Sequence, residues 1–452
     1  MGSLSNNPPN EEEGNQYSSS LVKKSILPYP LYAILPIVLI HFYFNPFSFS
    51  FTTTSTSNYI NQIPPSSNRL FLIPADPPPP DPTPQVSRKD NVSRRISCDY
   101  SQGEWVPDKE EPLYDGTTCD TIKKGQNCMV SGRPDRGYLY WKWRPQHCNL
   151  PRFDPHIFLK ILQNKHMAFV GDSLARNQLE SLLCMTAAAA KPTLFYTDGE
   201  DNRFRKWRIP SHNITVSIYW SPFLVSGVEK TAEKNFNTLF LDSVNEIWAA
   251  DLAGIDVLVL SAGHWFLHSA VYYDNDIVIG CHYCQNHTEI GFYNVFGRAL
   301  RTAFEAIIER RGGDEREMNV FLTTFTPAHF EGEWDKLGAC SKTRPFKEDE
   351  QILEGMNEEM RRVGVERVGE ARVRAEEEAN NYKVRFEVLD VSKMALMRPD
   401  GHPGPYMNPF PFANGVGERV QNDCVHWCLP GPIDAWNQIL LDLIIKNLQA
   451  HP

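Results

Sequence analysis

The chain has 452 residues, an apolar fraction of 41% and a net charge of -10, with no long basic run. That length holds one large catalytic domain or two smaller ones, with enough apolar residues for a sizeable core. The acidic balance argues against a nucleic-acid partner, because a phosphate backbone demands a basic face.

Residues 1–25 read as a polar cytosolic tail. Lys23-Lys24 precede an apolar run from Ile26 to Phe44, broken by Pro28, Pro30, Pro36 and His41. Roughly 20 apolar residues span a bilayer core. No Lys or Arg follows the basic pair until Arg69, so the positive-inside bias places the tail in the cytosol and the remainder in a lumen. The expectation is an uncleaved signal anchor over residues 26–44, a single-pass type II arrangement. The rival is a cleaved signal peptide, but the polar lead is long for one and no clear small-x-small site follows. Residues 45–96 are rich in Ser, Thr, Asn and Pro, with Asp76-Pro77-Pro78-Pro79-Pro80-Asp81-Pro82 among them. Such a segment buries no core and reads as an extended, disordered stem.

The cysteines agree with a lumenal reading. All ten (Cys98, Cys119, Cys128, Cys148, Cys184, Cys281, Cys284, Cys340, Cys424 and Cys428) lie beyond the anchor, and an even count there suggests disulfides of open pairing. N-glycosylation acceptors at Asn91, Asn213 and Asn286 fall on the same side. Residues 97–151 hold four of the cysteines together with Trp105, Tyr138, Tyr140, Trp141 and Trp143, which reads as a small, loop-rich, disulfide-braced subdomain. Its aromatics either stack on sugar rings or pack against the main domain, and packing is the simpler reading.

Residues 152–452 alternate strand-like and helix-like patterns. The strands expected are His166–Val170, Ile255–Leu260, Asn319–Thr324 and Arg385–Val391. The helices expected are Ala175–Thr186, Gly291–Arg310, Glu348–Val363 and Ile433–Leu448, with the charge-rich residues 364–380 as a solvated helix end and loop. Alternating β and α units predict an α/β domain with a parallel sheet and helices on both faces. Ligands then bind beyond the carboxyl ends of the strands.

Unusual polar residues follow those strands. Gly171-Asp172-Ser173 comes directly after the first, on a strand-to-helix turn. A serine hydroxyl needs a base within hydrogen-bond reach, and Asp423 and His426 stand at i and i+3 near the C-terminus, where a carboxylate can hold an imidazole. Ser173 near a helix N-terminus also puts backbone N–H groups where an oxyanion develops. The alternative for Asp172 and Ser173 is helix capping, the role expected for Asp172. His264, His329 and His402 compete with His426 as the base, but only His426 has a carboxylate three residues upstream. Gly263, His264 and His329 are expected at the strand-end cleft, as substrate or oxyanion groups or as ordinary hydrogen-bonded residues. Arg176 either steadies an oxyanion, contacts the acceptor or forms a surface ion pair. Trp265, Trp334 and Trp427 neighbour these residues and either stack on sugars or pack in the core. Cys281-His282-Tyr283-Cys284 and Cys424-Val425-His426-Trp427-Cys428 resemble zinc ligand sets, but an oxidising lumen favours disulfides and no metal is expected.

These residues resemble the plant trichome birefringence-like family of polysaccharide O-acetyltransferases. The resemblance rests on Cys98-Asp99-Tyr100-Ser101-Gln102-Gly103-Glu104-Trp105, Tyr138-Leu139-Tyr140-Trp141-Lys142-Trp143, Gly171-Asp172-Ser173-Leu174-Ala175-Arg176-Asn177-Gln178, Arg398-Pro399-Asp400-Gly401-His402-Pro403-Gly404 and the stretch from Asn422 to Pro432. It covers residues 97 to 447 and implies an SGNH-hydrolase-like α/β/α sandwich, a Golgi membrane location, and a triad of Ser173, Asp423 and His426. Gly263-His264-Trp265-Phe266-Leu267-His268, Cys281-His282-Tyr283-Cys284 and His329-Phe330-Glu331-Gly332 look like the branch that acetylates xyloglucan. Where many members carry Asn-Thr before Gly-His, this chain has Ser261-Ala262, which leaves the second oxyanion donor open. The implied activity is O-acetylation of xyloglucan galactosyl side chains through an acetyl-serine. It needs an acetyl donor, acetyl-CoA or a relay donor, and no bound cofactor. The alternatives are the same chemistry on xylan or glucomannan, an acetyl esterase, and a non-catalytic wall-polysaccharide-binding protein.

Overall fold

The computed structural model describes residues 98–199, 203–312, 314, 316–377 and 384–450. The expected tail, anchor and stem, and the Asn91 acceptor with them, lie outside the described residues. No helix among the described residues is long and apolar enough to cross a membrane.

Strands β1 (Gly103–Pro107) and β2 (Trp141–Pro145) pair antiparallel and set Trp105 opposite Trp143. The two indoles meet edge to face, 5.7 Å between centroids. Trp105 Nε1 donates to the Met394 carbonyl and Trp143 Nε1 to the Tyr100 carbonyl, so both rings are core and not sugar platforms. Tyr138 is buried as well, while Tyr140 and Trp141 stay partly exposed. Disulfides Cys98–Cys148, Cys119–Cys184 and Cys128–Cys428 close this region and tie it to the rest.

Helix α1 (Pro155–Ile161), with Asp154 capping its first N–H groups, leads into β3 (His166–Gly171) and α2 (Ser173–Ala187). Strands β4 (Thr193–Asp198), β5 (Phe204–Ile209) and β6 (Ile214–Trp220) follow, then β7 (Val225–Val228), β8 (Asn237–Val244) and the short α3 (Glu246–Ala249). Next come β9 (Val257–Ser261), β10 (Ala270–Asp274), β11 (Ile277–His282), α4 (Tyr293–Arg311), β12 (Met318–Thr323) and α5 (Gly355–Glu377). The chain ends with β13 (Val384–Leu389), α6 (Ser392–Leu396) and α7 (Asp434–Ala450).

The central sheet has the order β13-β12-β9-β3-β6-β5-β4, and a smaller sheet has the order β11-β10-β8-β7. The expected parallel sheet holds from β13 to β6, but β5 pairs antiparallel with both neighbours. Only the turn Pro210–His212 and Asn213 separate β5 from β6, too short for the crossover a parallel pair requires. Residues alternate between faces along each parallel strand. Met167, Phe169, Val257, Val259 and Phe321 pack with α2 and α7, whereas Ala168, Val170, Leu258, Leu260, Val320 and Leu322 pack with α4 and α5. The result is three layers.

Helix α5 corrects a second expectation. It begins seven residues later than Glu348 and continues to Glu377, helical well into the charge-rich residues 364–380 expected as a helix end and loop. Val368, Ala371 and Ala375 are buried on one side of it, while Arg362 pairs with Glu359 and Glu366, and Arg367 with Glu370, on the other. Small apolar residues at helical spacing carry this helix despite its charge. Strand β3 has β9 on one side and β6 on the other, and the chain proceeds outward in both directions. In sheets of this kind the switch point, here the carboxyl end of β3, is where ligands bind.

Candidate active site

The turn from β3 into α2 is fixed by close approach. Gly171 has φ 152°, and a Cβ there would stand 1.7 Å from the Ser261 carbonyl oxygen of β9. Asp172 N–H donates to that same carbonyl and Ser221 N–H to the Gly171 carbonyl, pinning the turn to both neighbouring strands. Asp172 caps α2: its Oδ1 accepts from Leu174 N–H at 2.9 Å. Its Oδ2 is buried with no hydrogen-bond partner among the described residues, while the Gly263 and His264 backbone N–H groups lie near enough to lower the carboxyl. Burial pushes the Asp172 carboxyl up to about 6, against the lowering effect of the Leu174 N–H and of His426 nearby. Ser173 is the first residue of α2 and stays partly exposed.

His426 stands in the loop before α7. Asp423 Oδ2 lies 2.7 Å from His426 Nδ1, and Asp423 Oδ1 accepts from the Val425 and His426 backbone N–H groups. This local turn explains why the i, i+3 spacing works outside a helix. Burial alone would raise the Asp423 carboxyl, but the His426 ring and these N–H donors outweigh it and hold the group well below the usual carboxylate range. His426 Nε2 is buried and has no hydrogen-bond partner among the described residues. With Nδ1 engaged by the carboxylate, Nε2 is the nitrogen left to act as a base.

Several constraints hold that loop. Disulfides Cys340–Cys424 and Cys128–Cys428 bracket His426, and Asp423 exchanges backbone hydrogen bonds with Gly404. The His402 ring stacks on Trp427 at 4.3 Å, and its Nδ1 donates to the His426 carbonyl at 2.7 Å. His402 Nε2 meets His329 Nδ1 at 2.7 Å, and His329 Nε2 donates to the Leu396 carbonyl. Both outer nitrogens face carbonyl oxygens, so the inner contact closes only when the pair shares one further proton. Burial lowers both imidazoles, and His329 lowers His402 further. Asn177 of α2 takes both backbone groups of Trp427, joining the helix of Ser173 to the loop of His426.

Comparison with known proteins gives this arrangement a family. The GDSL/SGNH-like acyl-esterase pattern found in Pmr5 and Cas1p matches residues 150–443, and the PMR5 N-terminal domain pattern matches residues 96–149. The chain belongs to the GDSL/SGNH-like acyl-esterase family. Xyloglucan O-acetyltransferase 1 of Populus trichocarpa is 56% identical over 434 residues, covering 94% of each chain. Xyloglucan O-acetyltransferase 1 of Arabidopsis thaliana is 53% identical over 358 residues, covering 78% of this chain and 82% of the relative. Protein trichome birefringence-like 26 of Arabidopsis thaliana is 40% identical over 375 residues, covering 81% of each.

In this acyl-esterase family member the other residues singled out from sequence divide. His264 stacks on Phe325 at 4.5 Å and feels the charge of His426. Burial, and then His426, push its imidazole down to about 3, so it stays neutral and its buried Nε2 is unbonded. Gly263 has no room for a side chain, since a Cβ would meet the Phe325 ring at 2.7 Å. The Arg176 guanidinium lies over the Trp220 ring, 5.7 Å from its centroid. His329 is found as the hydrogen-bonded alternative, with His402 and Leu396 taking both of its ring nitrogens. Trp427 is fully buried, whereas Trp334 is 50% exposed. Cys281 and Cys284 pair with each other, so all ten cysteines are in disulfides. Asn213 and Asn286 are exposed. Asn177 and Trp220 were missed as site residues. The signal for Asn177 was a polar pair, Asn177-Gln178, on a helix that buries nearly every side chain, a pattern that demands partners.

Proposed function

We propose that the chain is a Golgi O-acetyltransferase acting on xyloglucan, with Ser173 as nucleophile, His426 as base and Asp423 as its orienting carboxylate. The chemistry rests on one observation: a carboxylate-held imidazole with an uncommitted Nε2, on a loop tied to the helix that Ser173 begins. The substrate rests on relatives over half identical that are named xyloglucan O-acetyltransferases.

In this reading His426 Nε2 removes the Ser173 proton as Oγ attacks the donor acetyl carbonyl. The tetrahedral oxyanion forms at the N-terminus of α2, where the Ser173 N–H and the helix dipole meet it. Collapse releases the donor's leaving group, which takes the proton from His426, and leaves an acetyl-serine. A hydroxyl of a galactosyl side chain then attacks that ester as His426 takes its proton. The serine leaves with this proton, and the acetyl ester is on the sugar. The identity of the donor, acetyl-CoA or a relay donor, is an outcome of the assay. Residues 26–44 act as the signal anchor, residues 45–96 as the stem, and residues 97–151 and 152–452 as lumenal subdomain and catalytic domain. Five disulfides and exposed acceptors at Asn213 and Asn286 support the lumenal side.

The test incubates the purified protein with an acetyl donor and, separately, xyloglucan, xylan and glucomannan, with Ser173→Ala alongside. Serine-dependent mass gain on xyloglucan is the expected result. Gain on another polymer overturns the substrate. Release of free acetate from pre-acetylated polymer without transfer overturns the transferase in favour of an esterase. Full activity in Ser173→Ala overturns the nucleophile.

A further inference from the structure

A cavity of about 270 Å³ lies beside the carboxyl end of β6, and nothing in the acyl-transfer chemistry uses it. Its position is the first clue. Trp220, which lines it, ends β6 in register opposite Gly171, so the cavity opens one strand away from the turn carrying Ser173. Arg176, one turn into α2, lies over the Trp220 ring, and Trp265, the residue after His264, meets the same ring edge-on at 5.5 Å. The aromatic wall is thus continuous with the reacting centre.

Its chemistry is the second clue. Phe204, Trp220 and Phe223 are its aromatic lining residues, with Phe204 stacked on Tyr219, Phe223 almost fully buried and the Arg203 guanidinium over the Trp220 ring. Beside them, Glu229 Oε1 accepts from Arg203 Nη1 at 2.7 Å and from Trp220 Nε1 at 2.6 Å. Both charged side chains remain partly exposed, Arg203 at 34% and Glu229 at 25%. No partner for Glu229 Oε2 is found among the described residues. With Asp198 also in the lining, the charged side chains are one cation and two carboxylates, which offer donors and acceptors with no excess positive charge. That suits the hydroxyls and C–H faces of a neutral sugar. An anionic ligand would find the arginine already neutralised. The cavity volume sits just under the usual ligand range, which begins at about 300 Å³, in keeping with one small ring and not a large cofactor.

We infer that this cavity is an acceptor subsite that holds one neutral pyranosyl ring of the polysaccharide while a neighbouring ring is acetylated at Ser173. The inference rests on the transferase reading and adds to it the residues that seat the acceptor. Trp220 forms the wall and Glu229 with Arg203 the polar edge.

The experiment separates acceptor binding from acetyl handling. Ile247 lines the rim and is 57% exposed, so Ile247→Trp fills the cavity from the surface without disturbing the core. Glu229→Gln removes the acceptor charge at constant shape. With xyloglucan oligosaccharides, each variant is expected to raise KM by about tenfold while kcat changes by less than about twofold. Hydrolysis of a small activated acetyl ester by Ile247→Trp is expected to match the wild type. Unchanged KM in both variants, with an active wild type, overturns the subsite. If the wild type transfers no acetyl, the transferase reading falls, and direct oligosaccharide binding by NMR decides the subsite. Loss of binding in Ile247→Trp then upholds it, and equal binding overturns it.

Discussion

Asn177 holds Trp427 by both of its backbone groups. Its Oδ1 accepts from the Trp427 N–H at 2.8 Å and its Nδ2 donates to the Trp427 carbonyl at 3.2 Å. The two residues are 250 apart in sequence and fully buried. Asn177 stands four residues after Ser173, and Trp427 one residue after His426, so this amide ties the residue proposed as nucleophile to the one proposed as base. Asn177→Ala strands a buried donor and a buried acceptor, each costing about 1–3 kcal/mol. Chemical denaturation is expected to show a loss of that order. Acetyl transfer should fall by about 10–100-fold under conditions where the variant remains folded, since small misplacement is costly to catalysis. Wild-type turnover in a destabilised Asn177→Ala would show that the bond serves folding alone.

The carboxylate of Asp423 fixes the tautomer of His426 through a 2.7 Å contact. Asp423→Asn preserves the shape but presents an amide where a carboxylate was. In the Ser-His-Asp arrangement that exchange lowers turnover by about 10⁴-fold. A comparable fall, with little change in thermal midpoint, is the expected outcome here. A fall below about tenfold would remove Asp423 from the role assigned to it.

Two disulfides flank the same loop. Cys340–Cys424 closes 84 residues and Cys128–Cys428 closes 300. On the chain-entropy account each is worth about 5 kcal/mol. The pair Cys340→Ala/Cys424→Ala should therefore unfold at markedly lower denaturant. It should also lose turnover before it loses secondary structure, because Cys424 adjoins Asp423. Coincident loss of activity and circular dichroism signal would count against a positioning role for this bridge.

His402 offers a sharper test of positioning, because a phenyl ring can replace its stack on Trp427. His402→Phe keeps that contact and deletes the donor to the His426 carbonyl. It is expected to cost about 1–3 kcal/mol through the stranded carbonyl and the orphaned His329. Turnover should fall while KM for the oligosaccharide is retained, since both ring nitrogens of each histidine are taken by protein partners. A rise in KM at constant turnover would instead place His402 in the binding site.

The sequence was most legible where burial was simplest. Strands β3, β9 and β12 are buried on both faces and read as apolar runs, β13 alternates apolar residues with Arg385 and Glu387, and Gly171-Asp172-Ser173 after β3 marked the strand-to-helix turn. The contact between Asp423 and His426 was legible from their spacing. Strands β4 and β5 were not: every residue of β4 is exposed, and β5 alternates aromatics with Arg and Lys. Neither gives the one-sided apolar pattern that betrays a strand. Disulfide pairing was illegible because it depends on tertiary proximity, as in Cys128 and Cys428. The link from His402 to His426 was hidden for the same reason, since nothing local says which carbonyl a histidine will meet.

Asp172 makes a pH-dependent prediction separate from catalysis. Burial raises its carboxyl to about 6, whereas an unfolded aspartate titrates near 3.8. Above pH 6 the group is ionised in both states, and burying that charge costs the native state about 3 kcal/mol. As pH falls from 6 toward 3.8 the native state takes up the proton first, and the cost disappears. Asp172→Asn cannot ionise and lacks this component at every pH. The measured stability of Asp172→Asn minus that of the wild type should therefore be most favourable to the variant at pH 7. It should shift toward the wild type by up to about 3 kcal/mol by pH 4, whatever the offset from altered capping. Urea denaturation of both proteins across that range reads the difference directly. A difference constant with pH would mean that Asp172 is ionised at ordinary acidity, with its second oxygen hydrogen-bonded by the Gly263 and His264 N–H groups after all.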